Sequence, residues 1–270
     1  MPATAAKRAP EKSKPVKSRP VNAATAKQRM LKLLVCSDAP EQALRYRGFQ
    51  RIAGVDEVGR GALFGPVVAA AVILPERIAS LGEAGLKDSK QMTREDREAM
   101  DERIRRIALA VSVAEISAEI IDRVNIYQAT RMAMLAAVHG LEMEPDHLLI
   151  DAMRIDHVCA QTKLIYGDAL SLSIAAASVV AKVHRDNLMR QLDEVHPQYG
   201  LASHKGYATP EHRRALKEHG PCALHRTTFA PVALASGVKP AVLTEELLFE
   251  DMADEIMLDS TDLEECVDWV

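Results

Sequence analysis

Two strand-like runs stand so close together that they limit the fold before anything else is considered. Residues 51–55 (Arg-Ile-Ala-Gly-Val) read as a buried strand ending on Asp56, and residues 67–74, bounded by Pro66 and Pro75, as a second. Only about ten residues separate them, too few for the crossover a parallel pair needs, so they are expected to pair antiparallel. Thr93 then caps a charged helix to about Arg106, with Asp96 completing a partial capping box. Residues 108–116 form a third strand. A helix capped by Asn125 follows, with Met132, Leu135, Ala136 and Val138 among its apolar members, and leads to a short strand, 147–150, that ends on Asp151. Because a helix precedes it, this fourth strand can lie parallel to the first, which would set Asp56 and Asp151 side by side at the carboxyl ends. Residues 163–166 are a candidate fifth strand. Residues 173–194 read as a long Ala-rich helix with Ser178, Lys182 and Asp186 on one face. The last clear helix starts at Thr209-Pro210 and ends at Gly220-Pro221, inside a loop-rich helical appendage. The expected fold class is α/β, a mixed five-stranded sheet flanked by helices.

Composition adds bounds. An apolar share of 48% in 270 residues suits one sizeable globular domain with appendages, and 4% aromatic residues leave few rings to stack on bases. Cys36, Cys159, Cys222 and Cys266 lie far apart, which indicates neither a zinc site nor a disulfide framework and suits reduced thiols in the cytoplasm. The longest apolar run is too short to span a bilayer, so no membrane role is expected. The net charge of −4 hides two opposed ends: residues 1–34 carry nine Lys/Arg against one acid, and residues 241–270 carry eleven acids with no Lys or Arg. The basic end, 1–45, reads as a disordered tail, either a tether for nucleic acid or a solvated extension. The acidic end, 236–270, has Leu248, Met252 and Ile256 at helical spacing, and is either a solubilising end or a docking peptide for another protein.

Acids at the ends of buried strands cost free energy unless something compensates them, and a bound cation is the usual compensation. Asp56, Glu57 and Asp151 are oxygen ligands, and Asp186 can supply a fourth. A carboxylate set without Cys or His suits Mg²⁺ or Mn²⁺, and two such ions can clamp the attacking and leaving oxygens of a phosphodiester. Taken singly, each acid reads better as something else: the Asp56-Glu57 pair as a turn or helix start, and Asp186 as an ion-pair partner of Lys182 or Arg185. Asp56 and Glu57 point to opposite faces of a regular strand, so a bend between them is expected if both bind metal.

The run 53–61 (Ala-Gly-Val-Asp-Glu-Val-Gly-Arg-Gly), Asp88-Ser89-Lys90, Leu149-Ile150-Asp151, the run 175–183 with Arg185-Asp186, Pro197-Gln198-Tyr199-Gly200, and His204-Lys205-Gly206-Tyr207 together resemble the ribonuclease HII family, in the order that family shows, over roughly residues 50–233. The resemblance implies a ribonuclease H-like catalytic domain over 46–196 and a small helical substrate-binding region over 197–235. It implies an endoribonuclease that hydrolyses the RNA strand of RNA–DNA hybrids and cuts 5′ of a ribonucleotide embedded in duplex DNA. Cleavage would use two Mn²⁺ or Mg²⁺ ions, leave 3′-hydroxyl and 5′-phosphate ends, and serve removal of misincorporated ribonucleotides by a cytoplasmic monomer. Carried over by position, Asp56, Glu57, Asp151 and Asp186 become catalytic metal ligands. Gly59, Arg60 and Gly61 become a loop whose exposed backbone reads the ribose 2′-hydroxyl, together with Tyr207, whose ring would stack on the following deoxyribose. Ser89, Lys90 and Lys182 are expected to contact phosphate. The histidines are expected to pack or lie at the surface, with His204 and His225 held in reserve.

The chain departs from the family's pattern at Ala152, where glycine is common, and at Tyr166, where lysine is common; these bear on a turn and a phosphate contact. The sister family ribonuclease HIII shares the chemistry but typically carries Gly-Lys-Gly in place of Gly59-Arg60-Gly61 and a folded N-terminal domain. A non-catalytic hybrid binder would lack at least one of the carboxylates. A hydrolase of small phosphates would turn over nucleotide monoesters.

Overall fold

The computed structural model describes residues 34–237, apart from 88, 90 and 91. The basic and acidic ends, the Leu248, Met252, Ile256 pattern and Lys90 lie outside the described residues. All elements below belong to the unit that begins at Val35. In chain order they are α1 (Ala39–Tyr46), β1 (Ile52–Val58), β2 (Val67–Ile73), α2 (Ala79–Glu83), α3 (Arg94–Ile107), β3 (Ala110–Ile116), α4 (Ala118–Val124), α5 (Ile126–His139), β4 (His147–Asp151), β5 (Ala160–Leu164), α6 (Leu172–Val195), α7 (Leu201–His204), α8 (Pro210–His219) and α9 (Ala230–Ala235). Two 3-10 turns, Gly167–Ala169 and Pro197–Tyr199, precede α6 and α7.

The strands form one mixed sheet in the order β3-β2-β1-β4-β5. As expected, β1 and β2 pair antiparallel and β1 and β4 parallel; β3 joins β2 antiparallel and β5 joins β4 parallel. The sheet is covered on both sides, so β2 is buried along its whole length and its sequence is a continuous apolar run rather than an alternating one. One face of β1 and β2 (Ala53, Val55, Ala69, Ala71) packs on Ala129, Ala133, Met134 and Ala137 of α5, and the other (Ala70, Val72) packs on the alanines and valines of α6. Small residues let α6 settle very close to the sheet.

Local signals place the helices. Thr93, Ser117, Asn125, Ser171 and Thr209 each accept a backbone N–H of the first turn, which satisfies a donor the helix itself cannot use. One expectation needs correction: the fifth strand spans 160–164 rather than 163–166, since pairing with β4 sets its position. On α5, Met132 and Ala136 are exposed and the buried face is Ala129, Ala133, Met134, Ala137 and Val138, because the sheet contacts the alanine stripe. Helix α1 docks through buried Leu44 and through Glu41, which accepts from the Ser171 hydroxyl at 2.6 Å and the Ser173 amide at 2.8 Å. No helix among the described residues is long and apolar enough to cross a membrane.

Candidate active site

Strand register carries the site. Gly54 pairs with Leu149 and Val55 with Ile150, so one step further Asp56 and Asp151 stand beside one another. Asp56 shares the α6 face with its cross-strand partner Ala70, while Glu57 lies opposite Ala69 on the α5 face. The one-to-one register with β2 continues through Val58, so no bulge separates the two acids, but the pairing with β4 ends at Val55, which leaves both acids beyond that ladder.

Gly54 explains why α6 lies over Asp56. A β-carbon at Gly54 would stand 2.1 Å from the Ser173 carbonyl carbon, so only glycine admits the helix backbone this near. Just over one turn along α6, the Ser178 hydroxyl reaches the Asp56 carboxylate and lies 2.9 Å from the Ser89 hydroxyl. Ser89 is buried, and its carbonyl accepts from Arg97 at 2.9 Å. Asp56 Oδ1 also accepts the Glu57 amide at 2.8 Å.

Burial pushes the Asp56 carboxyl well above the usual aspartate range, and the charges of Asp151, Glu57 and Asp168 raise it further. Asp168 is buried in the 3-10 turn before α6, and its neighbour Gly167 donates its amide to Asp151 Oδ1 at 2.7 Å. The acids gathered around Asp56 are therefore Asp151, Glu57 and Asp168. Asp186, two turns beyond Ser178, is occupied differently: Lys182 Nζ lies 2.6 Å from its Oδ1, and Arg97 lies 4.0 Å from its Oδ2. Among the described residues no group of three or more acids, histidines or cysteines stands in metal-holding geometry.

The Gly59-Arg60-Gly61 loop leaves the end of β1 beside these acids. Gly59 has φ +92°, and a β-carbon there would meet Arg185 Nε at 2.2 Å. A β-carbon at Gly61 would meet nothing within 4 Å, so packing does not require that glycine. The Tyr207 loop joins this segment directly: Ala62 bridges Tyr207, and the Leu63 amide donates to the Gly206 carbonyl at 2.8 Å.

A family profile described as Ribonuclease HII matches residues 53–232. The chain belongs to the ribonuclease HII family. The ribonuclease HII of Koribacter versatilis is 51% identical over 246 residues, which span 90% of this chain and 94% of that one. Among solved structures, the ribonuclease H2 of Pyrococcus horikoshii superposes with a TM-score of 0.62 at 24% identity, covering 69% of this chain and 97% of that one. Bst-RNase HIII in complex with Mn²⁺ superposes at 0.55 and 21% identity, covering 84% and 76%. At such identities the two structures establish the fold alone. As a member of this family, the protein is a ribonuclease H-type endonuclease on a mixed α/β sheet.

Residues outside the expected set complete the surroundings. Besides Asp168 and Ser178, two fully buried arginines hold the ribonuclease HII loops. Arg185 donates to the carbonyls of Phe64, Pro66 and Lys205 and lies 5.5 Å from the centre of the Tyr207 ring. Arg226 donates to the carbonyls of Arg60 and Gly65, and burial pushes it down to about 9. The available signal for Asp168 was its place: a Gly-Asp pair just before the Ser171 cap of the long helix.

Proposed function

We propose that this protein hydrolyses the RNA strand of RNA–DNA hybrids and cuts on the 5′ side of a ribonucleotide embedded in duplex DNA, leaving 3′-hydroxyl and 5′-phosphate ends. The observation that carries the reading is the group of like charges around buried Asp56 at the ends of β1 and β4. Repulsion of this kind is what a cation relieves, and a donor set of carboxylates alone fits hard divalent ions, Mn²⁺ or Mg²⁺. Asp56, Glu57, Asp151 and Asp186 would hold two such ions, with Asp168 a further acid beside Asp56. When bound, they supply Lewis-acid activation of a water and neutralise charge on the leaving 3′-oxygen.

Asp186 keeps its place as the fourth ligand on this reading. Its carboxylate also carries Lys182 and stands near Arg97, which sets the Lys182 ammonium where it can meet a phosphate. Ser89 keeps Ser178 turned to Asp56, and Lys90 remains a phosphate contact from its place in the Asp88-Ser89-Lys90 block. Gly59, Arg60 and Gly61 offer backbone donors and acceptors to the 2′-hydroxyl, and the open space over Gly61 admits the strand. Tyr207, fastened to that loop, stacks on the deoxyribose that follows. The reading takes 46–196 as the catalytic region and 197–235 as the substrate-binding region. It also takes the enzyme as a cytoplasmic monomer that removes misincorporated ribonucleotides, with the acidic end as a docking segment.

The test is incubation with Mg²⁺ or Mn²⁺ and a DNA duplex containing one ribonucleotide, beside an all-DNA duplex, with the cut mapped to the base. Cleavage immediately 5′ of the ribonucleotide is expected, absent in the all-DNA duplex and abolished by Asp56→Asn or Asp151→Asn. Equal cutting of both duplexes would overturn it.

A further inference from the structure

Three histidines of the helical region carry hydrogen bonds whose directions can be worked out, and they gather at the turn that carries Tyr207. The Cys222 amide donates to His225 Nδ1 at 3.0 Å, so that nitrogen carries no proton and His225 holds its proton on Nε2. His225 Nε2 lies 3.2 Å from His212 Nε2, which must then be the acceptor. His212 is left with its proton on Nδ1, 3.0 Å from the Tyr207 carbonyl. Protonating either ring would turn two N–H groups against each other, so the pair works only as two neutral rings with opposite tautomers. Both rings are buried, and burial holds both below the usual histidine range, His225 at about 4.

The other side of the same turn is held in the same way. The Gly206 amide donates to His204 Nδ1 at 3.2 Å, and His204 Nε2 donates to the Tyr199 carbonyl at 2.8 Å. The His204 ring lies flat on that of His212, centroids 4.5 Å apart and 14° from parallel. Lys205 at φ +53° and Gly206 at φ +80° form a left-handed stretch just before Tyr207, a conformation that neighbouring contacts must sustain.

We propose that His212 and His225 form a one-way hydrogen-bond relay that fixes the Tyr207 backbone, and that they are positioning residues for the enzyme's preference for a ribonucleotide followed by a deoxyribose. The inference rests on the reading of Tyr207 given above. It extends that reading to two residues that meet neither strand nor ion. His212→Asn keeps an N–H at the Nδ1 place, whereas His212→Gln moves its amide to the Nε2 place and leaves the Tyr207 carbonyl without that donor.

The experiment compares cleavage of a duplex with one embedded ribonucleotide against a continuous RNA–DNA hybrid of equal length, for the parent, His212→Asn, His212→Gln and Tyr207→Ala. His212→Gln should lower the ratio of the two kcat/KM values about tenfold, with His212→Asn within about threefold of the parent. Equal losses on both substrates, or equal behaviour of Asn and Gln, would overturn the proposal. If Tyr207→Ala leaves the ratio unchanged, the sensing role of Tyr207 falls and the proposal with it; if Tyr207→Ala shifts the ratio and His212→Gln does not, only the relay fails. Imidazole ¹⁵N shifts of the full-length protein at pH 7 give a readout apart from activity. They should show His212 protonated on Nδ1 and His225 on Nε2, and a charged ring or the reverse tautomers would overturn the relay even if His212→Gln failed to fold.

Discussion

Gly54 on β1 and Ser173 on α6 touch through their backbones, with no room between them for a single methyl group. The contact sets the height of α6 over the sheet and thereby the reach of Ser178 to Asp56. Gly54→Ala must lift the helix or bend the strand. It should destabilise the protein by at least about 3 kcal/mol, at the severe end of overpacking because backbone rather than a side chain is met. Urea unfolding measures this, and a loss below about 1 kcal/mol would contradict the geometry.

Asp168 and Asp186 should separate in function. Asp186→Asn should reduce turnover on the order of a thousandfold and weaken Mn²⁺ binding seen by calorimetry, because it removes an ion ligand and loosens Lys182. Asp168→Asn should cost roughly tenfold to a hundredfold, with Mn²⁺ affinity less changed, since Asp168 acts on Asp56 through charge rather than through an ion. The opposite ranking would make Asp168 the fourth ligand.

Ala152, where the family often has glycine, has φ +51°, and Tyr166, the other departure, has φ +61°. The Ala152 amide donates to the Leu164 carbonyl at 3.0 Å, which keeps the residue in this left-handed turn directly after Asp151. Ala152→Gly relieves about 1–2 kcal/mol of backbone strain and adds about 0.4–1 kcal/mol of unfolded-state entropy. A net gain of about 0.5 kcal/mol is expected from the denaturation midpoint, without loss of activity. A clear destabilisation would show that the Ala152 methyl makes a contact worth more than the strain.

Glu41 provides a pH test away from the acids at the strand ends. Burial raises its carboxyl above the usual glutamate value despite bonds from Ser171 and Ser173, and its Oε2 has no partner among the described residues. The folded protein therefore keeps this proton to higher pH than the unfolded chain does. Stability falls as pH rises from the usual glutamate value through the raised one, and stays lower above it. Glu41→Gln has no proton to lose, so it should lose less stability than the parent between pH 5 and pH 8. Parallel stability curves for the two proteins would argue against a charged, buried Glu41.

Much of the fold could be read along the chain. The short gap between the first two strands required antiparallel pairing, the intervening helix permitted the parallel β1–β4 pair, and Thr93, Asn125 and Thr209 marked helix starts because capping is local chemistry. Helix α1 was missed because its stability comes from Leu44 and Glu41 docking against residues more than a hundred positions away. The histidines were equally opaque, since a ring's role depends on which atoms face each of its nitrogens.

By itself the sequence determined which residue types could do the chemistry, and it placed Asp56 and Asp151 together, because strand register is a one-dimensional property that hydrophobic runs reveal. Only the tertiary structure set Asp168 beside Asp56 and Asp186 beside Lys182 and Arg97. Both follow from the same stretch of chain, yet one turns back under the sheet edge beside Asp151 and the other lies further along α6 in the grip of Lys182 and Arg97. Charge acts through space, so the charges that each carboxylate meets depend on where the chain folds back, and no local pattern encodes that distance.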